Sequence, residues 1–359
     1  MSQYWSQLTK RLSPYVPGEQ PQDQQYIKLN TNENPFPPSP IALERMRAAI
    51  GDQLRLYPDP ESRQLKEVLA KNYNVDYSNI FVGNGSDEVL AFAFMAFFTG
   101  LNCKEGKITF PDITYSFYPV YCDLLDIPYE TFPLTECLEI DPTFIPPKSA
   151  GVIFPNPNAP TSLFLSVKYI ETLLVSNPQC VIIVDEAYID FGGESSIPLT
   201  KKYPNLLVIQ TFSKSRALAG LRVGYAIGHH ELIDGLCRVK NSVNSYPLDS
   251  IAHAGAIGAI QDDSYFVQKC QEVIRIRQWA TAELKALQFY VLPSMANFLF
   301  IRSDHMDAGE LYKLLKQSGI LVRYFSTENL NQYLRISIGT EEEMRSLIVK
   351  IKVIVNLPK

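Results

Sequence analysis

Thr211-Phe212-Ser213-Lys214-Ser215-Arg216-Ala217-Leu218-Ala219-Gly220-Leu221-Arg222 begins one residue beyond the apolar run Leu206 to Ile209. Twenty-nine positions before Lys214, a second apolar run, Val181-Ile182-Ile183-Val184, ends in Asp185-Glu186-Ala187-Tyr188. Two buried strands thus deliver a lysine with a serine before it and an arginine after it, and an acid with a tyrosine three residues on. These are the groups needed to hold pyridoxal phosphate. The lysine forms an imine with the aldehyde, the acid faces the pyridine nitrogen, and serine and arginine take the phosphate.

The flanking sequence supports a sheet for both runs to belong to. From residue 80 onward, short apolar stretches at 80–82, 107–110, 151–154, 181–184, 206–209 and 224–227 alternate with helical patterns such as 86–98 and 166–176. Strand-helix alternation with uniformly apolar strands predicts an α/β architecture, a mostly parallel sheet covered on both faces. Ligands bind such sheets beyond the carboxyl ends of strands, where Asp185 and Lys214 fall. Helical patterns at 41–50 and 62–73 precede this region. A helical stretch at 265–287 leads to a second unit with strands near 298–301 and 333–338 and helices at 308–317 and 341–355. The expected division is an N-terminal arm and start of the small domain over 1–40, a large domain over 41–245, and a C-terminal small domain over 246–359.

Each candidate residue has a chemical reason. Lys214 would also shuttle a proton during turnover, since lysine pKa falls readily on desolvation. Asp185 would keep the pyridine nitrogen protonated, and Tyr188 would hydrogen-bond the ring hydroxyl. Ser213 and Arg222 would grip the phosphate, Arg222 through its fork. In Gly83-Asn84-Gly85-Ser86-Asp87-Glu88 a turn follows a strand and opens a helix, so Gly85, Ser86 and Asp87 offer N–H groups to an anion. It is not a dinucleotide fingerprint, because Glu88 stands where the third glycine is needed. Tyr115 could stack on the pyridine face. Asn158, in the turn Pro155-Asn156-Pro157-Asn158-Ala159-Pro160, could donate to the ring hydroxyl beside Tyr188, with Asn156 as its rival. Arg323 and Arg335 are cations in or beside apolar strands, and a buried arginine needs an anion: an internal carboxylate, or a substrate. The four histidines lack metal-ligand spacing, and no metal is expected.

Composition sets limits. The 359 residues suit two domains, and 46% hydrophobic residues supply a large core. A net charge of −5 argues against a nucleic-acid surface. The longest apolar stretch, Val89 to Phe98, is too short to cross a bilayer, and the first residues contain no secretory h-region. Six scattered cysteines (103, 122, 137, 180, 237 and 270) are expected to be reduced thiols in a cytoplasm.

Asp185-x-x-Tyr188, Ser213-Lys214 and Ala219-Gly220-Leu221-Arg222 resemble the fold-type-I aminotransferases. Lys28-Leu29-Asn30-Thr31-Asn32-Glu33-Asn34-Pro35, Tyr57-Pro58-Asp59, Gly85-Ser86-Asp87-Glu88 and Leu334-Arg335-Ile336-Ser337-Ile338-Gly339-Thr340 are similar to histidinol-phosphate aminotransferases. The resemblance runs from about residue 14 to the C-terminus. It implies a large domain carrying the parallel sheet and a smaller α+β domain built from both chain ends. It also implies pyridoxal phosphate as cofactor, and a homodimer with Tyr57 reaching the neighbouring subunit's cofactor phosphate. Substrate would be held by Tyr15, Asn30, Arg323 and Arg335. The implied reaction is ping-pong amino transfer between L-histidinol phosphate and 2-oxoglutarate. The rivals on this scaffold are an aromatic aminotransferase and a threonine-phosphate decarboxylase. Two departures bear on the substrate entrance: Ser162 replaces the usual glycine after Pro-Thr, and Arg216-Ala217 occupies a usually more apolar stretch.

Overall fold

The computed structural model describes residues 2–15, 18–100, 106–146 and 149–355. Its strands are β1 (Ile27–Lys28), β2 (Ile80–Asn84), β3 (Ile108–Pro111), β4 (Tyr129–Phe132), β5 (Gly151–Pro155), β6 (Val181–Asp185), β7 (Leu206–Thr211), β8 (Val223–Gly228), β9 (Phe289–Val291), β10 (Phe298–Ser303), β11 (Ile320–Leu321), β12 (Arg323–Tyr324) and β13 (Tyr333–Ser337). Seven of them form the main sheet in the order β2-β8-β7-β6-β5-β3-β4. All its pairings are parallel except those of β8, which is antiparallel to both neighbours.

The strands read as continuous apolar runs because both faces are buried. Val152, Phe154, Ile182, Val184, Leu206 and Val208 face one helical layer; Ile153, Ile183, Leu207 and Ile209 face the other. The first layer includes the helix Arg63–Tyr73, and the second includes Gly85–Phe97 and Phe117–Leu125. The helix Ser250–Gln261 packs Ala252, Ala256, Ile257 and Ile260 into the first layer, so the large unit's core continues beyond the expected boundary at 245.

The second unit has its own core, with Phe289, Leu299, Ile301, Leu334, Ile336 and Leu347 among its members. Its sheet runs β12-β13-β10-β9, entirely antiparallel. The N-terminal strand β1 pairs in parallel with β11, and Leu29 joins the same core. Both chain ends therefore build this unit. Cys122, Cys137, Cys237 and Cys270 are free thiols, and Cys103 lies outside the described residues. Among the described residues, no helix is long and apolar enough to cross a membrane.

Candidate active site

One cavity gathers the chemistry. It opens where the carboxyl ends of β6 and β7 meet the small unit, and Asp185, Tyr188, Ser213, Lys214 and Arg222 all line it. Ser86, Asp87 and Tyr115 close one side; Tyr15, Asn30, Arg323 and Arg335 close the other. Residues 29 or more positions apart meet here because neighbouring parallel strands end at the same edge of the sheet.

Lys214 Nζ donates to the Thr31 carbonyl at 3.3 Å and stands 5.7 Å from the Tyr188 ring centre. Its own carbonyl accepts from Asn34 Nδ2 at 2.9 Å, which fixes the loop after β7. Ser215 Oγ donates to the half-buried Asp190 at 2.5 Å, tying the lysine loop to the tyrosine loop.

Asp185 is 4% exposed. Burial pushes its carboxyl up to about 7, against hydrogen bonds from the Tyr118 hydroxyl at 3.2 Å and the Ala187 N–H at 3.2 Å. Neither donor is a cation, so among the described residues the buried carboxylate has no positive partner. A protonated pyridine nitrogen would supply one.

At the other end of the cavity, Arg222 Nη2 lies 2.7 Å from Asp87 Oδ2, and Arg222 Nη1 donates to Ser213 Oγ at 3.5 Å. Tyr115 donates to Asp87 Oδ1 at 2.8 Å. The Asp87 carboxylate therefore orients Arg222 and Tyr115, and what it offers an anion is its main-chain N–H in the first turn of the helix Gly85–Phe97. Gly85 does not line the cavity. It has φ +78°, and a Cβ there would sit 2.5 Å from Arg222 Nη2, so glycine permits the close approach of the guanidinium. Ser213, Arg222 and the first turn of the helix Gly85–Phe97 thus come together in the cavity that Lys214 lines, a set of donors that could take a phosphate. The residues fit pyridoxal phosphate.

The third wall carries two arginines. Arg323 and Arg335 are direct cross-strand partners between β12 and β13. Like charges placed opposite each other are unfavourable unless an anion joins them. Arg335 is held by the Asn30 carbonyl at 3.2 Å, its Nε is buried without a partner among the described residues, and burial lowers its pKa. Asn30 spends its Nδ2 on the Glu19 carbonyl at 2.8 Å and leaves a buried Oδ1 without a hydrogen bond among the described residues. The wall thus presents positive charge and one acceptor.

Three expected residues fall elsewhere. Asn158 does not line this cavity: its Nδ2 donates to the Ile113 carbonyl at 3.1 Å and to Thr161 Oγ1 at 3.0 Å, and Ala159 faces the cavity instead. Its rival Asn156 is fully used by Leu165, donating to that carbonyl at 2.9 Å and accepting its N–H at 2.8 Å. Tyr57 is 82% exposed and stacks on Tyr246 with ring centres 4.7 Å apart, outside the cavity of its own chain. The two departures also sit away from the cavity. Ser162 is buried at φ +66° with its carbonyl accepting from Met295 N–H, and Arg216 lies over the Phe266 ring while donating to the Ala259 carbonyl at 2.6 Å.

Thr31, Asn32, Asn34 and Tyr118 were not anticipated as parts of the site. No periodicity marks the asparagines: Asn32 has φ +54°, so the segment is not extended there, and the consecutive residues Asn30, Thr31 and Asn32 all line the cavity.

The family model for aminotransferase class I and II matches residues 24–351. A histidinol-phosphate aminotransferase of Hydrogenovibrio crunogenus is 56% identical over 97% of this chain and 96% of its own length. Another from Pseudomonas fluorescens is 53% identical over 97% of this chain and 98% of its own. The crystal structure of histidinol-phosphate aminotransferase from Sinorhizobium meliloti in complex with pyridoxal-5'-phosphate superposes with a TM-score of 0.87 at 23% identity, covering 99% of this chain and 98% of that one. With a lysine, an acid and a phosphate cradle at the strand ends, and with half its residues shared with such relatives, this chain belongs to the class I and II aminotransferases and, within them, to the histidinol-phosphate aminotransferases.

Proposed function

We propose that this chain transfers an amino group reversibly between L-histidinol phosphate and 2-oxoglutarate, with pyridoxal phosphate as cofactor, in histidine biosynthesis. Bound pyridoxal phosphate supplies an electron sink that makes the substrate Cα–H acidic. The protein's residues do the rest. Asp185 would hold the positive ring nitrogen, Ser213, Arg222 and the first turn of Gly85–Phe97 would hold the phosphate, and Tyr188 would donate to the ring oxygen. Lys214 Nζ would move a proton between the substrate Cα and the cofactor's C4′ carbon.

The observation that carries the substrate class is the Arg323–Arg335 pair facing Lys214 across one cavity. Histidinol phosphate brings a phosphate and no carboxylate; glutamate brings two carboxylates. Guanidinium forks accept both anions, which a pocket built only for apolar side chains could not do. Because the cofactor stores the amino group between half-reactions, the kinetics are ping-pong.

The working unit in this reading is a cytoplasmic homodimer. Tyr57 is exposed and does not line the cavity of its own chain, and it would reach the neighbouring subunit's phosphate cradle. The deciding experiment is a spectrum of purified protein before and after single additions of histidinol phosphate, phenylalanine and threonine phosphate. Rapid conversion to the pyridoxamine form by histidinol phosphate supports the proposal. Conversion only by phenylalanine, or carbon dioxide release from threonine phosphate, replaces it with a rival.

A further inference from the structure

Asn32 stands behind the tyrosine that faces the cofactor, and its side chain is wired in one direction. Its main-chain N–H donates to Ser337 Oγ at 2.8 Å, and Ser337 Oγ lies 3.1 Å from Asn32 Oδ1. A main-chain N–H can only donate, so the serine oxygen accepts there, and in the amide orientation the structure holds its own proton goes to Oδ1. That leaves the amide nitrogen as the group 3.1 Å from the Tyr188 hydroxyl, and an amide nitrogen can only donate. The Tyr188 oxygen is therefore an acceptor on this side. Its proton must point away from Asn32.

The surroundings leave that proton little choice. The Tyr188 ring packs edge-on against Phe298 at 5.1 Å and belongs to a small cluster with Ala159 and Ala296, none of which offers a side-chain acceptor. The hydroxyl borders the cavity that holds Lys214. Asn32 itself is rigid: it is 1% exposed, its carbonyl accepts from Asn297 Nδ2 at 3.0 Å, and it holds φ +54°, a conformation asparagine and aspartate adopt more readily than most residues. Thr31, its neighbour, accepts from Lys214 Nζ. One short segment thus positions both the reactive amine and the tyrosine.

We propose that Asn32 is a positioning residue that turns the Tyr188 proton onto the cofactor's ring oxygen, and so sets the pH at which the lysine–cofactor linkage loses its proton. The proposal rests on pyridoxal phosphate binding as described above. A donor on the ring oxygen stabilises that oxygen's negative charge, which is greatest once the linkage proton has left. Removing the donor makes that proton harder to lose.

Asn32→Asp tests this with a change of one atom. The carboxylate keeps the Ser337 hydrogen bond and suits the backbone conformation, but it accepts where the amide donated, so Tyr188 turns its proton toward residue 32. The readout is the absorbance of the bound cofactor against pH in the resting enzyme, without substrate. The midpoint should rise by about one to two pH units, the size of losing a hydrogen bond to a charged oxygen. The added negative charge also raises the midpoint, so the substitution is repeated in Tyr188→Phe. If Asn32 acts through the tyrosine, most of the shift disappears in that background. A full-sized shift in Tyr188→Phe, or no shift in the single variant, overturns the proposal. Should Asn32→Asp not fold, Asn32→Gly tolerates the same φ and removes the donor; it should raise the midpoint by a smaller amount that is again lost in Tyr188→Phe, and an unchanged midpoint overturns the proposal. A wild-type protein that shows no cofactor band at all would defeat the cofactor assignment instead, which is a separate outcome.

Discussion

Replacing Asp185 by asparagine should make the cofactor-free protein more stable at pH 8 while disabling the enzyme. The acid is fully enclosed, and burial raises its carboxyl from 3.8 to about 7. A raised folded-state pKa favours folding at low pH and loses that advantage as pH climbs from the unfolded value through the folded one. At pH 8 the folded state must keep a carboxylate ionised without a cation, a penalty on the order of 4 kcal/mol at 1.36 kcal/mol per tenfold. At pH 5 the folded protein keeps the proton and the penalty shrinks to roughly 2 kcal/mol by the same linkage. Asparagine removes it and can still accept from Tyr118, while the Ala187 N–H, which bonds the other oxygen, loses its acceptor at a cost of about 1–2 kcal/mol. With an unfolding entropy of roughly 2 cal/mol/K per residue, the net gain of about 2–3 kcal/mol over this chain corresponds to a rise of about 3–4 °C in Tm. Thermal denaturation of cofactor-free wild type and Asp185→Asn at pH 5 and pH 8 checks this. Turnover of the loaded variant should fall about a thousandfold, since a unit-charge pair at ~4 Å is worth on the order of 4 kcal/mol at an effective dielectric of 20. A variant that is destabilised equally at both pH values would refute the reasoning, because the carboxylate would then be earning its burial without the cofactor.

Other substitutions probe the remaining walls. Arg335→Leu should raise KM for histidinol phosphate and for glutamate alike, by roughly a hundredfold, the size of losing a charge-assisted hydrogen bond. It should not lower, and should slightly raise, the Tm of the ligand-free protein, because it removes a buried guanidinium whose charge burial disfavours. Lys214→Ala should abolish turnover and the absorbance of the covalently bound cofactor while leaving the fold intact by circular dichroism. Gly224→Ala would place a Cβ 2.3 Å from the Ser86 main-chain nitrogen and 2.4 Å from the Gly85 carbonyl carbon, so it should cost about 1–3 kcal/mol of stability and weaken cofactor retention, measured by dialysis. Tyr57→Ala and Lys214→Ala variants, each inactive or nearly so, should regain activity when unfolded and refolded together, because the mixed dimer rebuilds one whole site; no recovery would argue against the shared cradle.

The sequence alone determined the architecture and most of the chemical inventory. Strands β5, β6 and β7 announce themselves as apolar runs because both faces of a parallel sheet are buried, and a strand end carries its next residues into the cavity whatever else the chain does. Asp185, Tyr188, Ser213 and Lys214 were legible for that reason, and Arg222 by its place after Gly220-Leu221. Tertiary structure decided which way side chains turn and which groups are already spoken for. No local pattern says that Ala159 rather than Asn158 meets the cavity, since the turn's own hydrogen bonds to Ile113 and Thr161 settle it. Nor does spacing reveal that Asp87 is bound to Arg222, that Arg323 and Arg335 lie face to face, or that Asn32 and Tyr188, 156 positions apart, share a hydrogen bond. Those facts depend on strand register and on how the two units dock, and register is fixed by contacts between distant segments.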